Sequence, residues 1–253
     1  MQEYGEVFAR VYDNRWAGFA RRVAPAVLDF LAARSVDAKN RSILDLCCGT
    51  GQFSIEALKR GYRLVGVDAS EAMLRHAARN TAPFVEASQA RFVCADARDF
   101  TLDEQFGAAV ALYDSLNHLD GENELRACLR RVAEALVPSG YFIFDLNTRA
   151  RLEKWTGVTV TDEAELMLVS RSMYIPEQSK AYARISGFVR GSDHRYDRFS
   201  ETFFNTAFDL QSVEVLLQES GWYSIYFARE PELATPISTP ESEDRVFVIA
   251  RKS

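Results

Sequence analysis

Between residues 41 and 146, short apolar runs alternate along the chain with segments in which apolar positions recur at helical spacing. This alternation predicts strand–helix–strand units, which assemble into a parallel sheet with helices on both faces. We therefore predict an α/β protein. The predicted strands of this region are 43–47, 63–68, 90–94, 107–113 and 140–146.

The pattern changes after Asn147, where β-branched and aromatic residues alternate with polar ones. Such alternation is typical of antiparallel strands. It predicts a small antiparallel sheet, inserted into the core, with strands at 164–175, 180–190 and 195–206.

The last part of the chain returns to the main sheet. A helical stretch at 211–220 precedes two apolar runs, 222–229 and 245–250, which predict a hairpin at one edge of the sheet. We therefore divide the chain into a core with an N-terminal helical cover, residues 1–146 and 207–253, and an antiparallel lid, residues 147–206.

Composition and charge narrow the function classes. With 253 residues, 47% of them hydrophobic, the chain can bury one full core and a small appendage. A net charge of −6 disfavours a nucleic-acid partner, unless folding gathers a local basic patch. The first residues carry charges and no long apolar run, so we predict no signal peptide, no membrane span and a cytoplasmic location. The spacing of cysteines and histidines predicts no metal site. A homodimer is compatible with the sequence.

The segment Ile43–Gly51 runs from an apolar strand through a glycine turn into a predicted helix. Glycines at such a turn let the backbone approach a ligand closely, and the helix start offers N–H groups to a carboxylate or phosphate. Gly49 and Gly51 alone are a weak signal, because tight turns also have purely structural causes. Asp45, inside the strand, adds an acid that suits a cationic amino group.

Asp68 ends the next predicted strand. An acid at this position can accept hydrogen bonds from both ribose hydroxyls of a nucleoside cofactor. Helix capping is the structural alternative, but Ser70 is already well placed as an N-cap. Because Ser54 stands where a dinucleotide fingerprint has its third glycine, a nicotinamide dinucleotide fits less well.

These segments resemble the class I S-adenosylmethionine-dependent methyltransferases over nearly the whole chain. Leu44–Gly51 is similar to the family's first motif, D-x-G-x-G-x-G, with Cys47 in place of the first glycine. Cys94–Phe100, Ala109–Leu119 and Arg245–Lys252 are similar to later segments of the family in the correct order. The resemblance implies S-adenosylmethionine as cofactor. It also implies a seven-stranded, mostly parallel sheet of order 3-2-1-4-5-7-6, with strand 7 antiparallel.

The resemblance assigns the methionine moiety of the cofactor to Asp45 and the glycine loop, and the ribose to Asp68. It assigns the adenine to Asp96 and the backbone of Ala97, and Tyr113 is a candidate for shielding the ring. The full set of implied cofactor-binding residues is Tyr12, Asp45, Cys47, Gly49, Gly51, Asp68, Ala69, Met73, Asp96, Ala97 and Tyr113.

The loop after the fourth predicted strand carries the candidate catalytic residues His118, Asp114 and Asn117, which we predict to accept a proton or position the acceptor. A histidine pKa suits this task near neutrality, although His118 could equally cap the turn into the next helix. Aromatic residues of the lid are candidates either for the acceptor pocket or for packing: Tyr174, Tyr182, Tyr196, Phe199 and Phe203.

An acidic chain with an antiparallel lid resembles N-methyltransferases of amino sugars and amino acid derivatives, which implies a small polar amine as acceptor. Two alternatives stay open. One is a tRNA-modifying methyltransferase, which a basic face beside the glycine turn would favour. The other is a regulatory module that binds S-adenosylmethionine without transferring its methyl group. In-line methyl transfer depends mainly on alignment, so the sequence need not contain a strong catalytic dyad.

Overall fold

The computed structural model describes residues 4–34, 41–191 and 193–253. Its strands, in chain order, are β1 (Ser42–Leu46), β2 (Arg63–Asp68), β3 (Ala90–Cys94), β4 (Phe106–Ala111), β5 (Leu136–Asn147), β6 (Gly157–Glu163), β7 (Leu166–Ile175), β8 (Lys180–Arg190), β9 (Tyr196–Thr206), β10 (Trp222–Ala228) and β11 (Arg245–Lys252).

The α-helices of the described residues are α1 (Glu6–Arg15), α2 (Ala17–Ala33), α3 (Gln52–Lys59), α4 (Glu71–Asn80), α5 (Ala82–Glu86), α6 (Glu122–Ala135), α7 (Arg149–Leu152) and α8 (Leu210–Glu219). A 3₁₀ turn, Ser115–His118, follows β4. No helix in the described ranges is both long enough and apolar enough to cross a membrane.

Seven strands form the main sheet in the order β10-β11-β5-β4-β1-β2-β3. β1 pairs in parallel with β2 and β4, and β11 pairs antiparallel with both β5 and β10. Because β10 and β11 are the sixth and seventh strands of this sheet along the chain, the predicted order 3-2-1-4-5-7-6 is confirmed. Helices connect β1 to β2, β2 to β3 and β4 to β5, whereas residues 95–105 join β3 to β4 without a helix.

Helices cover both faces of this sheet. On one face, α6 buries Leu125, Leu129 and Val132 against strand residues such as Phe142 and Phe144. On the other face, Val27 and Leu31 of α2 pack with Phe53 of α3. Strands buried on both faces read as continuous apolar runs, which is why the sequence located them well.

The second sheet is antiparallel, with the order β6-β7-β8-β9, and lies within the residues that we predicted as a lid. Three of its strands were predicted, and β6 was not. β6 lies at the edge of the sheet and most of its residues are exposed, and its alternating valines, Val158 and Val160, face solvent instead of a core. The division of the chain into core and lid stays a prediction.

Helix α1 lies between the two sheets. Phe8 and Val11 of α1 share a buried cluster with Met73 of α4 and with Leu168 and Ile185 of the second sheet. Ion pairs at the surface join the same partners, Arg10 with Asp197 at 2.8 Å and Arg15 with Glu163 at 2.9 Å. The carboxyl ends of β1, β2 and β4 are therefore covered on one side by α1 and on another by the second sheet.

Candidate functional site

A cavity of about 680 Å³ lies between the carboxyl ends of the parallel strands, α1 and the inner face of the second sheet. In open parallel sheets, ligands bind at this edge, where the strand order reverses. Of the cofactor-binding and catalytic residues predicted from the sequence, eight line the cavity: Tyr12, Cys47, Gly49, Asp68, Met73, Tyr113, Asp114 and His118.

The turn after β1 is left-handed at three positions. Cys47, Gly49 and Gly51 have φ values of 56°, 53° and 78°. Glycine adopts such values without strain, whereas a cysteine does so at a cost, so Cys47 occupies a position whose backbone favours the glycine of the family motif. Gly51 lies outside the cavity, and a Cβ there would approach the Cβ of Ala77 to 3.1 Å. Its role in this structure is to end the turn and bring α3 close to α4.

Asp68 connects the ends of two strands. One oxygen of its carboxylate accepts a hydrogen bond from the Gly49 N–H and the other from the Ser70 N–H, both at 2.9 Å. Ser70 caps α4 by accepting from the Met73 N–H, so Asp68 is not needed as the helix cap. Burial raises the pKa of Asp68, which backbone donors offset in part. The carboxylate is thus held rigidly at the cavity wall.

Asp45 is buried inside β1 and accepts a hydrogen bond of 2.6 Å from the Ser54 hydroxyl. Burial raises the pKa of Asp45 to about 7. No ion pair among the described residues involves Asp45. It lines a second cavity of about 30 Å³, which shares Tyr12, Cys47 and Tyr113 with the large one. A cationic group reaching this position would find a buried carboxylate without a counter-ion.

Aromatic side chains cover the glycine turn. Tyr12 of α1 lies so close to Gly49 that a Cβ there would be 3.6 Å from its ring. The Tyr12 and Tyr113 rings are 6.2 Å apart, and Tyr113 stacks on Phe19 of α2 at 4.8 Å. These contacts place Tyr12 and Tyr113 over the same end of the cavity, and their contact with a cofactor stays a prediction.

Two residues that we did not predict, Asp145 and Arg245, organise the loop after β4. Tyr113 and Asp114 have φ values of 67° and 49°, and their N–H groups donate to the two oxygens of Asp145 at 2.6 and 2.9 Å. Arg245 donates to both Asp145 and Asp114, at 2.7 Å to the latter. Two adjacent left-handed residues are unfavourable, and the buried carboxylate and its arginine stabilise them.

Asp114 is therefore one member of an ion pair rather than an unpaired base. Burial raises its pKa, and the Arg245 guanidinium acts in the opposite direction. The sequence did contain a signal for this cluster, because Asp145 interrupts the apolar run of β5, and an acid in a strand buried on both faces needs a partner.

His118 lines the cavity, and its buried side chain carries one unused polar atom. Its Nδ1 is buried and has no hydrogen-bond partner among the described residues. Burial lowers the pKa of His118 to about 4, so the imidazole is neutral at physiological pH. A neutral imidazole nitrogen can accept a hydrogen bond from an acceptor molecule.

Asn117 was predicted to be catalytic, and its geometry corrects this. The side chain is fully buried and does not line the cavity. Its amide nitrogen donates to the carbonyls of Asn147 and Thr206, at 3.1 and 2.8 Å, and its oxygen accepts from the Asn147 N–H at 3.0 Å. Asn117 therefore joins the 3₁₀ turn to β5 and β9, and it has no polar atom left for a substrate.

Besides Asp45 and Gly51, three further predicted cofactor positions lie outside the walls of the large cavity: Ala69, Asp96 and Ala97. Asp96 accepts hydrogen bonds from the Arg98 side chain at 2.8 and 2.6 Å. Although partial burial acts in the opposite direction, these bonds lower the pKa of Asp96. The carboxylate is thus ionised and oriented by Arg98, and its assignment to the adenine stays a prediction.

The lid aromatics behave mainly as packing residues. Of the five candidates, Phe203 lines the cavity, with its ring 5.6 Å from that of His118. Phe199 is buried in the cluster around α1, and the Tyr174 hydroxyl accepts a hydrogen bond from Arg149. The polar residues that line the same half of the cavity were missed by sequence reasoning: Arg151, Lys154, Thr159, Thr161, Ser170 and Ser172.

The chain is similar to known methyltransferases in both sequence and fold. A methyltransferase-domain family model matches residues 43–140. A putative methyltransferase, YqeM, of Bacillus subtilis (strain 168) is 31% identical over 223 residues, which are 87% of each chain. A dTDP-3-amino-3,4,6-trideoxy-alpha-D-glucopyranose N,N-dimethyltransferase of Streptomyces venezuelae is 31% identical over 56% of each chain. An S-adenosylmethionine-dependent methyltransferase from Clostridium acetobutylicum ATCC 824 has the same fold, with a TM-score of 0.83, 20% identity and 98% of each chain covered.

The Asn117→Ala substitution tests the structural role of that amide. It leaves the Asn147 and Thr206 carbonyls and the Asn147 N–H without their partner, and each unsatisfied buried group costs about 1–3 kcal/mol. We expect the free energy of unfolding in urea to fall by roughly 2–4 kcal/mol. Ser139→Ala, at an exposed position of β5, is the control. Unchanged stability with lost activity would return Asn117 to the catalytic set.

Proposed function

Because the chain belongs to the S-adenosylmethionine-dependent methyltransferases, we propose that it transfers the cofactor's methyl group to the nitrogen of a small polar amine. The observation that carries this proposal is that one cavity is lined both by the glycine turn with the fixed carboxylate of Asp68 and by the neutral imidazole of His118.

The residues at the strand ends fit this cofactor. Asp68, fixed by two backbone donors, has lone pairs left for the ribose hydroxyls. Asp45 is a buried carboxylate without a counter-ion, which suits the amino group of the methionine moiety. Gly49 and Cys47 shape the turn between them, and Tyr12, Met73 and Tyr113 enclose the same space. We also propose that four residues outside the cavity walls contribute to the cofactor site: Gly51, Ala69, Asp96 and Ala97.

Two titratable residues of the cavity, His118 and Asp114, favour nitrogen over oxygen as the atom of the acceptor that is methylated. When bound, S-adenosylmethionine supplies a methyl group already activated by a sulfonium, so the acceptor needs an available lone pair and correct alignment. A neutral amine has that lone pair, whereas a hydroxyl must lose its proton to become a good nucleophile. His118, with a pKa of about 4, and Asp114, paired with Arg245, are weak bases. They can orient an amine N–H, but they are poorly suited to deprotonating an alcohol.

Relatives support the same direction. The Streptomyces venezuelae relative is named as an N,N-dimethyltransferase of an amino sugar nucleotide, and it matches over 56% of this chain.

A panel of small amino sugars and amino acids, each paired with its hydroxyl analogue, would test the proposal. We expect S-adenosylhomocysteine to be released with amines and not with the analogues, as measured by mass spectrometry. Transfer to hydroxyl acceptors alone would contradict the nitrogen assignment.

Asp68→Ala tests the cofactor site. The substitution removes two hydrogen bonds to a charged acceptor, each contributing about 1.5–3 kcal/mol, so we expect S-adenosylhomocysteine to bind roughly 100-fold more weakly or worse. Isothermal titration calorimetry gives the affinity, and circular dichroism checks the fold. Asp103→Ala, an exposed aspartate outside the cavity, is the matched control and should bind like the wild type. Wild-type affinity in Asp68→Ala would refute the ribose assignment.

The pKa of Asp45 predicts a pH dependence of cofactor affinity. Since the pKa is raised to about 7, the carboxylate gains its charge only as the pH rises through that value. The ionised form is the one that attracts the cofactor's ammonium group, and below the pKa its population falls about tenfold per pH unit. We therefore expect S-adenosylhomocysteine affinity to increase between pH 5.5 and 8 in the wild type. Asp45→Asn should bind weakly and show little change across that range, and an equally steep profile in the variant would exclude Asp45 as its source.

A further inference from the structure

The second sheet presents an unusual pair of faces at β6 and β7. Thr159 and Thr161 of β6, with Ser170 and Ser172 of β7, line the cavity, and Thr159 is paired directly with Ser170. The opposite face, turned to solvent, carries Val158 and Val160 at 63% and 60% exposure, together with Met167 and Met173. A sheet that merely covers an apolar core has the reverse arrangement, with apolar residues inside and polar residues outside. The inner face of β6 and β7 is therefore built to contact a polar molecule.

Two cations border this hydroxyl-bearing surface. Arg151 of α7 and Lys154, just after α7, line the same cavity. Arg151 lies close enough to act on a side chain in the cavity. Burial raises the pKa of Asp114, and the positive charge of Arg151 acts in the opposite direction. By contrast, the opposite end of the cavity contains Asp68, and Asp45 lies in the adjoining small cavity. Arg15 and Arg245 also line the cavity, but each is in an ion pair, Arg15 with Glu163 and Arg245 with Asp114.

The two cations share a single carboxylate outside the cavity. Asp244 accepts a hydrogen bond of 2.5 Å from Lys154 and lies 3.8 Å from Arg151, which is too far for a hydrogen bond. No side-chain hydrogen bond of Arg151 occurs among the described residues. Since Asp244 is half-exposed, its attraction for the two cations is screened by solvent. An anion arriving from the cavity side can therefore bind both cations.

We propose that Arg151 and Lys154 bind a phosphate group of the methyl acceptor, while the hydroxyls of Thr159, Ser170 and Ser172 hydrogen-bond its polar body. This inference rests on the proposed function, because it concerns the acceptor half of the same cavity. Arginine offers a planar set of donors that matches phosphate oxygens, and lysine adds a compact charge. A doubly charged phosphate also suits two cations better than a single carboxylate does. The acceptor is accordingly a phosphate-bearing amine, whose phosphate lies under β6 and whose nitrogen points towards His118.

Inorganic pyrophosphate serves as the probe, titrated by calorimetry at low ionic strength into the protein saturated with S-adenosylhomocysteine. We expect saturable binding to the wild type, and about tenfold weaker binding to each of Arg151→Gln and Lys154→Gln, since a charge-assisted hydrogen bond is lost in each. The S-adenosylhomocysteine affinity of both variants should equal that of the wild type. Malonate, a dicarboxylate of similar size, should bind more weakly than pyrophosphate.

Asp244→Asn gives a change of opposite sign. The substitution removes the carboxylate that competes for both cations, so we expect pyrophosphate to bind several-fold more tightly than to the wild type. A variant that merely perturbed the fold would weaken binding. Arg184→Gln is the matched control, because this substitution changes the net charge by the same amount. Arg184 lies on the outer face of the second sheet, between the cavity-lining Ala183 and Ile185. It should leave pyrophosphate binding unchanged.

The outcomes separate the two proposals. If S-adenosylhomocysteine does not bind the wild type, the proposed function fails, and this inference fails with it. If S-adenosylhomocysteine binds but pyrophosphate does not, or malonate binds as tightly, the phosphate subsite alone is overturned. Equal loss of pyrophosphate affinity in Arg184→Gln would likewise overturn it, because the effect would then reflect net charge rather than a site.

Discussion

The structure depends on buried carboxylates at one edge of a parallel sheet. Asp45, Asp68, Asp114 and Asp145 all lie near the carboxyl ends of the strands, where burial disfavours their charged forms. Backbone N–H groups and Arg245 stabilise three of them. Asp45 accepts hydrogen bonds from Ser54 and is in no ion pair with the other described residues. The local negative charge is therefore incompletely balanced by the protein, which suits a cofactor that brings a sulfonium and an ammonium group.

The same constraint explains the shape of the loops around the cavity. The Gly49 N–H must turn back to reach Asp68, and the N–H groups of Tyr113 and Asp114 must both reach Asp145. Both turns require left-handed backbone. Interactions that hold unfavourable backbone conformations are common at binding sites, where they fix groups in advance of the ligand. Here they place the aromatic ring of Tyr113 beside Tyr12 in the cavity wall.

The cavity thus has two chemically different halves. One half is acidic and bounded by fixed backbone, and the other is formed by hydroxyls and cations of the segment after β5. Helix α1 closes the space between them by packing on both sheets at once. For a reaction in which alignment provides most of the rate acceleration, such a rigid two-sided enclosure matters more than a strong base. The low pKa of His118 agrees with a site that relies on alignment and not on a strong base.

The sequence by itself determined the strands of the main sheet, the glycine turn and the strand-end acid Asp68, because apolar periodicity and turn residues act over short distances along the chain. The order of the strands was implied by the resemblance to a known family. The edge strand β6, the ion pairs of Arg245 and the structural role of Asn117 were decided by the tertiary structure. Arg245 meets Asp114 and Asp145 across 131 and 100 residues of sequence, and Asn117 meets Thr206 across 89. No local pattern encodes such partners. Whether a polar side chain serves a ligand or the fold depends on which groups are buried beside it, and only the folded chain brings those groups together.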